Sequence, residues 1–233
     1  MTEIATLPET TASIQQKTDP QPSITLAAAH KDSVSAASND ETMPAPFPTK
    51  AMTPEEFAAL PDDENRYEYI KGEARAMSPA GGRHGGIATR LIVLLGKTLT
   101  PSDHIFDSST GYRLPGGDVL SPDVSVILAG RLPEEEEPVG FIELAPDLAV
   151  EIASPSDPYT YLQEKARAYL DWGVKAVWIV DPELRQVMVH TAEQIVRRHG
   201  EDSLDGGEAV PNFRAALADI FPAQRTQSPV TNP

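Results

Sequence analysis

Between residues 85 and 99 the apolar side chains Ile87, Leu91, Leu94, Leu95 and Leu99 recur at helical spacing, which predicts a helix with one apolar face. A second helix is expected over residues 159–172, where Gly173 stops it. Residues 67–70 and 73–77 read as two strands joined at Lys71-Gly72, a small hairpin. Residues 104–114 read as one strand ending at Pro115-Gly116-Gly117. Short apolar strands follow at 124–128 and 148–153, and a buried strand at 174–180 closes on Asp181-Pro182. Residues 187–190 and 195–198 form a terminal hairpin. Upstream, Thr53-Pro54-Glu55-Glu56 combines a capping Thr, a Pro at the first helical position and a Glu three residues on, so a short helix should begin there.

From residue 85 to residue 180 the order is therefore helix, three strands, helix, strand. A crossover helix between two strands makes those strands parallel, whereas the tight turn at Pro115-Gly116-Gly117 makes an antiparallel pair. The fold class is α/β of the α+β kind, a mixed central sheet flanked by helices and preceded by a helix and a β-hairpin.

Composition sets the limits of this domain. Residues 1–50 are rich in Thr, Ser, Ala, Pro and Gln and nearly lack aromatics, so they cannot bury enough apolar surface to offset chain entropy and are expected to form a disordered tail. A single domain is expected over 51–221, with a second polar tail at 222–233. No cysteine is present, so thiolate metal sites are excluded and any metal must be held by oxygen or imidazole. The start of the chain has no signal-peptide pattern and no apolar run approaches membrane-spanning length, so the expectation is a cytoplasmic protein with no membrane partner. The net charge of -16 repels phosphate at long range and weighs against a nucleic-acid partner.

Two acids stand out against that background. Glu151 interrupts Leu148-Ala149-Val150 and Ile152-Ala153, which otherwise read as a buried strand; unpaired in a core it would cost several kcal/mol, so it must pair, bind a cation, shift its pKa or face the rim. Asp123 raises the same question at the start of Val124-Ser125-Val126-Ile127-Leu128, where it could equally be a turn residue. Two carboxylates on neighbouring strands could share one hard divalent cation.

Tyr67-Glu68-Tyr69-Ile70-Lys71-Gly72-Glu73, His84, Ser121-Pro122-Asp123-Val124, the run from Ala145-Pro146-Asp147 through Glu151-Ile152-Ala153-Ser154-Pro155, Lys165, Tyr169, Gly173 and Trp178-Ile179-Val180-Asp181-Pro182 together resemble the Uma-type family of restriction endonucleases. That family is abundant in cyanobacteria and was long carried as a domain of unknown function. The resemblance spans about residues 52–221 and implies a PD-(D/E)XK nuclease core with the order αβββαβ. It makes Pro122-Asp123 the PD element and Glu151 the acid of the E-x-K element. The position where the superfamily places its lysine is Ala153, and the family pattern puts a lysine in the next helix, here Lys165.

The resemblance thus implies an endonuclease that hydrolyses DNA with Mg²⁺ or Mn²⁺, leaving a 5′-phosphate and a 3′-hydroxyl. Asp123, Glu151 and the backbone carbonyl of Ile152 would hold the metal, and Lys165 would serve the reacting water or the developing charge. Its replacement by alanine is expected to abolish cleavage with the fold nearly unchanged. Without the resemblance, Lys165 reads as an exposed helical lysine paired with Glu164 or Asp171. Glu68, Glu73 and His84 are accessory candidates; His84, beside Gly81-Gly82, could contact phosphate or cap a helix. Two other functions compete: an inactive nuclease fold used as a binding module, which Ala153 and the acidic charge favour, and a metal-independent acid–base hydrolase using the same carboxylates. The sequence leaves oligomeric state open, a homodimer included.

Overall fold

The computed structural model describes residues 49–60, 66–132, 137–155 and 157–221, so the expected tails, apart from Thr49 and Lys50, lie outside the described residues. The chain begins with β1 (Thr49–Ala51), α1 (Pro54–Ala58), β2 (Arg66–Ile70), β3 (Glu73–Met77) and α2 (Gly82–Gly96). It continues through β4 (His104–Asp107), β5 (Tyr112–Arg113), β6 (Val119–Leu120), β7 (Val124–Ile127), β8 (Leu148–Ile152) and α3 (Tyr159–Trp172). It ends with β9 (Ala176–Asp181), β10 (Gln186–His190), β11 (Ile195–His199), β12 (Ser203–Asp205), β13 (Arg214–Ala216) and α4 (Leu217–Ile220).

Local signals account for most boundaries. The Thr53 hydroxyl accepts the Glu56 amide at 3.2 Å and the Glu56 carboxylate accepts the Thr53 amide at 2.8 Å, which is the reciprocal box expected for α1. Lys71 (φ 50°) and Gly72 (φ 84°) both adopt left-handed backbone, the two-residue turn whose twist suits a tight hairpin between β2 and β3. Gly173 (φ 106°) ends α3 in the same left-handed region.

The main sheet has six strands in the order β11-β10-β9-β8-β7-β4, antiparallel except for β8 and β9, which run parallel across the α3 crossover. A second sheet has the order β1-β3-β2-β6-β5. Strand alternation gives the main sheet two apolar faces. Val124, Val126, Leu148, Val150, Ile152, Trp178 and Val180 pack towards α2 and α4. Ile127, Ala149, Val177 and Ile179 pack towards Leu162, Ala166 and Tyr169 of α3. Glu151, next to Val150 and Ile152 and in phase with Ala149, is thereby aimed at α3.

The expected single strand over 104–114 is two strands in two different sheets. The Asp107 carboxylate accepts the Ser109 amide at 2.9 Å and also takes the Ser109 hydroxyl, a local turn that ends β4 and lets the chain cross to β5. β4 therefore pairs with β7, while the turn at Pro115-Gly116-Gly117 joins β5 to β6. Ordered backbone also starts ahead of α1, because Thr49–Ala51 adds to the free edge of β3.

One buried acid in this frame is structural. Asp147 is fully buried; its carboxylate accepts the Leu128 amide at 2.9 Å and lies 2.6 Å from Arg131 and 2.8 Å from Lys175. Burial alone would raise its pKa, but the Leu128 amide, Lys175 and Arg131 outweigh burial and hold it below the ordinary value of 3.8. Its contribution is therefore present above about pH 4 and lost as pH falls through the depressed folded pKa. Asp147→Asn should cost about 2–3 kcal/mol in urea unfolding at pH 7, and the gap from wild type should close in acid. A gap that stays constant with pH would show that the charge is not the source.

Candidate active site

The crossover of α3 over β8 brings together residues far apart in sequence. Tyr161, Lys165 and Tyr169 lie at i, i+4 and i+8, one stripe along α3, and that stripe covers Glu151 on β8 and Glu68 on β2. The Lys165 ammonium donates at 2.7 Å to Glu68 and at 2.7 Å to Glu151, with side-chain exposures of 2%, 0% and 4%. The Tyr161 hydroxyl donates to Glu68 at 2.8 Å and the Tyr169 hydroxyl to Glu151 at 3.1 Å. The Ser121 amide, two residues before Asp123, donates at 2.8 Å to Glu68 Oε1, the oxygen that also accepts from Lys165.

Asp123 sits at the edge of this cluster. One register step beyond the Val124–Val150 pair it falls opposite Glu151 at the same end of β7 and β8. Its carboxylate accepts the Ile152 amide at 2.7 Å and lies 3.0 Å from His84 Nε2, at the start of α2. Asp123 and His84 retain 14% and 15% side-chain exposure, so the cluster meets solvent on this side.

The electrostatics are those of two buried acids sharing one ammonium, with a third acid beside them. Burial pushes the Glu151 carboxyl up; Lys165 pulls it back, while Glu68 and Asp123 add to the rise. Burial alone would push Lys165 down, but Glu151 and Glu68 more than reverse it and keep the ammonium charged. Burial likewise disfavours the charged form of His84, yet Asp123 offsets it and raises the imidazole above its ordinary 6.5, with a further contribution from the Ile152 backbone. Asp123 and the Ile152 backbone thus already hold a group able to carry positive charge.

That observation tests whether a divalent cation fits. Among the described residues no three His, Asp or Glu side chains converge as a ready-made cation cage. Asp123 and Glu151 provide two carboxylates at one strand end, and the imidazole beside Asp123 marks the place as suited to positive charge. Two carboxylates and a carbonyl, with water completing the shell, are oxygen donors of the kind that holds Mg²⁺, and here both Glu151 oxygens are engaged, by Lys165 and Tyr169.

Of the residues expected from sequence, Glu151, Lys165 and Glu68 share one cluster and Asp123 with His84 adjoins it. Glu73 does not join them. It is exposed at the hairpin tip, two ladder steps from Glu68, beyond the stripe of α3. Lys165 is not an exposed helical lysine; Glu164 instead pairs with Lys71 at 3.6 Å. Its burial also overturns the expectation that alanine there would spare the fold, because two buried carboxylates would lose their counter-charge. Tyr161 was not singled out from sequence, although its four-residue spacing from Lys165 was legible once α3 was assigned.

No helix among the described residues is long and apolar enough to cross a membrane. No curated protein matches the chain. Among solved structures it is similar to a chain described as a putative nuclease belonging to DUF820 from Anabaena variabilis ATCC 29413, at 24% identity and a TM-score of 0.66, covering 73% of this chain and 97% of that one. That likeness establishes a restriction-endonuclease-like fold. The family model for Uma2, described as putative restriction endonuclease, matches residues 54–218, most of the chain, and the protein belongs to that family.

Proposed function

We propose that the protein is a Mg²⁺- or Mn²⁺-dependent endonuclease that hydrolyses phosphodiester bonds of DNA. The observation that carries this reading is the place of Lys165. Ala153 occupies the position where the superfamily's lysine would stand, and α3 delivers an ammonium to within 2.7 Å of Glu151 instead. A buried, charge-retaining lysine against the acid of the metal site supports a catalytic role that has migrated from strand to helix.

Asp123 and Glu151, with the Ile152 carbonyl, would hold a divalent ion, whose chemistry is to polarise the phosphate and lower the pKa of bound water. Lys165 places a fixed positive charge beside the position where phosphorane charge develops, in a setting that excludes water and so strengthens it. Glu68, itself fixed by the Tyr161 hydroxyl, holds that ammonium from the far side, and Tyr169 fixes the second oxygen of Glu151. The negative far field of the chain makes local contacts, rather than long-range attraction, the source of DNA affinity.

The test is cleavage of supercoiled and single-stranded DNA by the purified full chain with Mg²⁺, Mn²⁺ or EDTA. Cleavage with metal, none in EDTA and 5′-phosphate ends are expected. A second reading has one observation in its favour: Glu68, Lys165 and Glu151 are sealed from solvent and mutually satisfied, as a purely structural network would be. DNA binding without cleavage under any metal would establish that binding-module reading, and hydrolysis that persists in EDTA would turn the site into a metal-independent acid–base centre.

A further inference from the structure

A recess of about 270 Å³ opens between the β2–β3 hairpin and the first turn of α3, with Lys71, Glu73, Arg75, Thr160, Tyr161 and Glu164 on its walls. Arg75 stands opposite Glu68 in the β2–β3 register, and its guanidinium carbon lies 3.8 Å from the centroid of the Tyr161 ring. The Tyr161 hydroxyl is the one bound to Glu68. A single aromatic ring therefore separates this recess from the acidic cluster.

Two cations, Lys71 and Arg75, and two carboxylates, Glu73 and Glu164, line the recess, and they are not paired one to one. Arg75 Nε is shielded from water and has no hydrogen-bond partner, a rare state for a buried donor. Glu164 is engaged by Lys71 at 3.6 Å, and Glu73 is exposed and screened by solvent. The amide end of α3 faces the same recess through Pro158 and Thr160 and has no side-chain cap, so its dipole adds to the field of Arg75. Arginine stacked on an aromatic ring presents the terminal N–H groups of its planar fork in the ring-parallel plane, where they can donate to a tetrahedral oxyanion.

We propose that this recess binds a phosphate of the nucleic-acid strand that flanks the phosphate at the active site, with Arg75 as its principal donor. The assignment rests on the nuclease reading. It gives the acidic chain a local anchor for the strand and makes Tyr161 the partition between binding and chemistry.

The test measures binding of a fluorescein-labelled oligonucleotide to the full chain by anisotropy in metal-free buffer, across a salt series, for wild type, Arg75→Gln, Arg75→Lys and Thr160→Glu. Arg75→Gln should weaken binding about tenfold and flatten the log–log salt slope by about 0.7–0.9, the signature of one lost phosphate contact. Arg75→Lys should keep the slope while losing part of the affinity. Thr160→Glu places a negative charge in the recess at the second position of α3, where an acid favours the helix; it should weaken binding with an undiminished melting temperature and so decides the matter if Arg75→Gln misfolds. Wild-type affinity and slope in both Arg75→Gln and Thr160→Glu would overturn the subsite while leaving the nuclease reading intact. A wild-type chain that neither binds nor cleaves DNA would overturn both.

Discussion

Lys165→Ala is expected to reduce cleavage by on the order of 10²–10³-fold or more and to destabilise the fold by about 3–5 kcal/mol. Both effects follow from one geometry. The ammonium is the shared counter-charge of Glu68 and Glu151, all three groups being nearly inaccessible to water, so alanine leaves two buried carboxylates facing each other. A fold defect alone could remove activity, and the comparison that separates the two is Lys165→Met combined with Glu68→Gln and Glu151→Gln. Neutralising the whole network should recover most of the stability in urea unfolding, as replacement of buried ion networks by neutral groups often does, while cleavage stays lost. Cleavage by the triple variant would show that the cluster is scaffolding and that the chemistry lies elsewhere.

Asp123→Asn should separate the two roles in the opposite way. The amide retains an oxygen for the Ile152 N–H, and the side chain is partly exposed, so the fold should lose about 1 kcal/mol or less. What disappears is half of the charge offered to a cation. Mn²⁺ affinity by calorimetry should fall by about 10–100-fold or more, with cleavage falling at least in proportion. Undiminished metal-dependent cleavage by this variant would remove Asp123 from the site and leave Glu151 without a partner acid.

The acids and the lysine were legible in the sequence for different reasons. Glu151 announced itself because a charge inside an apolar strand needs a partner whatever the fold. Lys165 carried no such signal: position 165 looks like the middle of any amphipathic helix, and only its match to the family pattern raised it. Glu68 and Glu73 could not be told apart from the hairpin alone, since Glu68, Ile70, Glu73 and Arg75 share one face of it. Position along the hairpin decided between them, because Glu68 lies under Tyr161 and Lys165 of α3 while Glu73, beside the turn, is exposed. The break after Asp107 was readable in Asp107-Ser108-Ser109, a turn-forming run, yet the apolar residues on either side masked it.

What the sequence determined by itself is what short-range physics controls. Periodicity gave α2, α3 and the strands on either side of α3, capping chemistry gave the start of α1, and the left-handed residues Lys71, Gly72 and Gly173 gave the turns. The tertiary structure alone decided which charges meet. Glu68 and Lys165 are 97 residues apart, and no local rule relates a hairpin strand to a helix across six intervening strands of two sheets. Their contact arises because the parallel pairing of β8 with β9 carries α3 across the sheet, and the second sheet closes over it. That closure removes water from the cluster, and removal of water is what turns an ordinary helical lysine into the shared counter-charge of two buried acids.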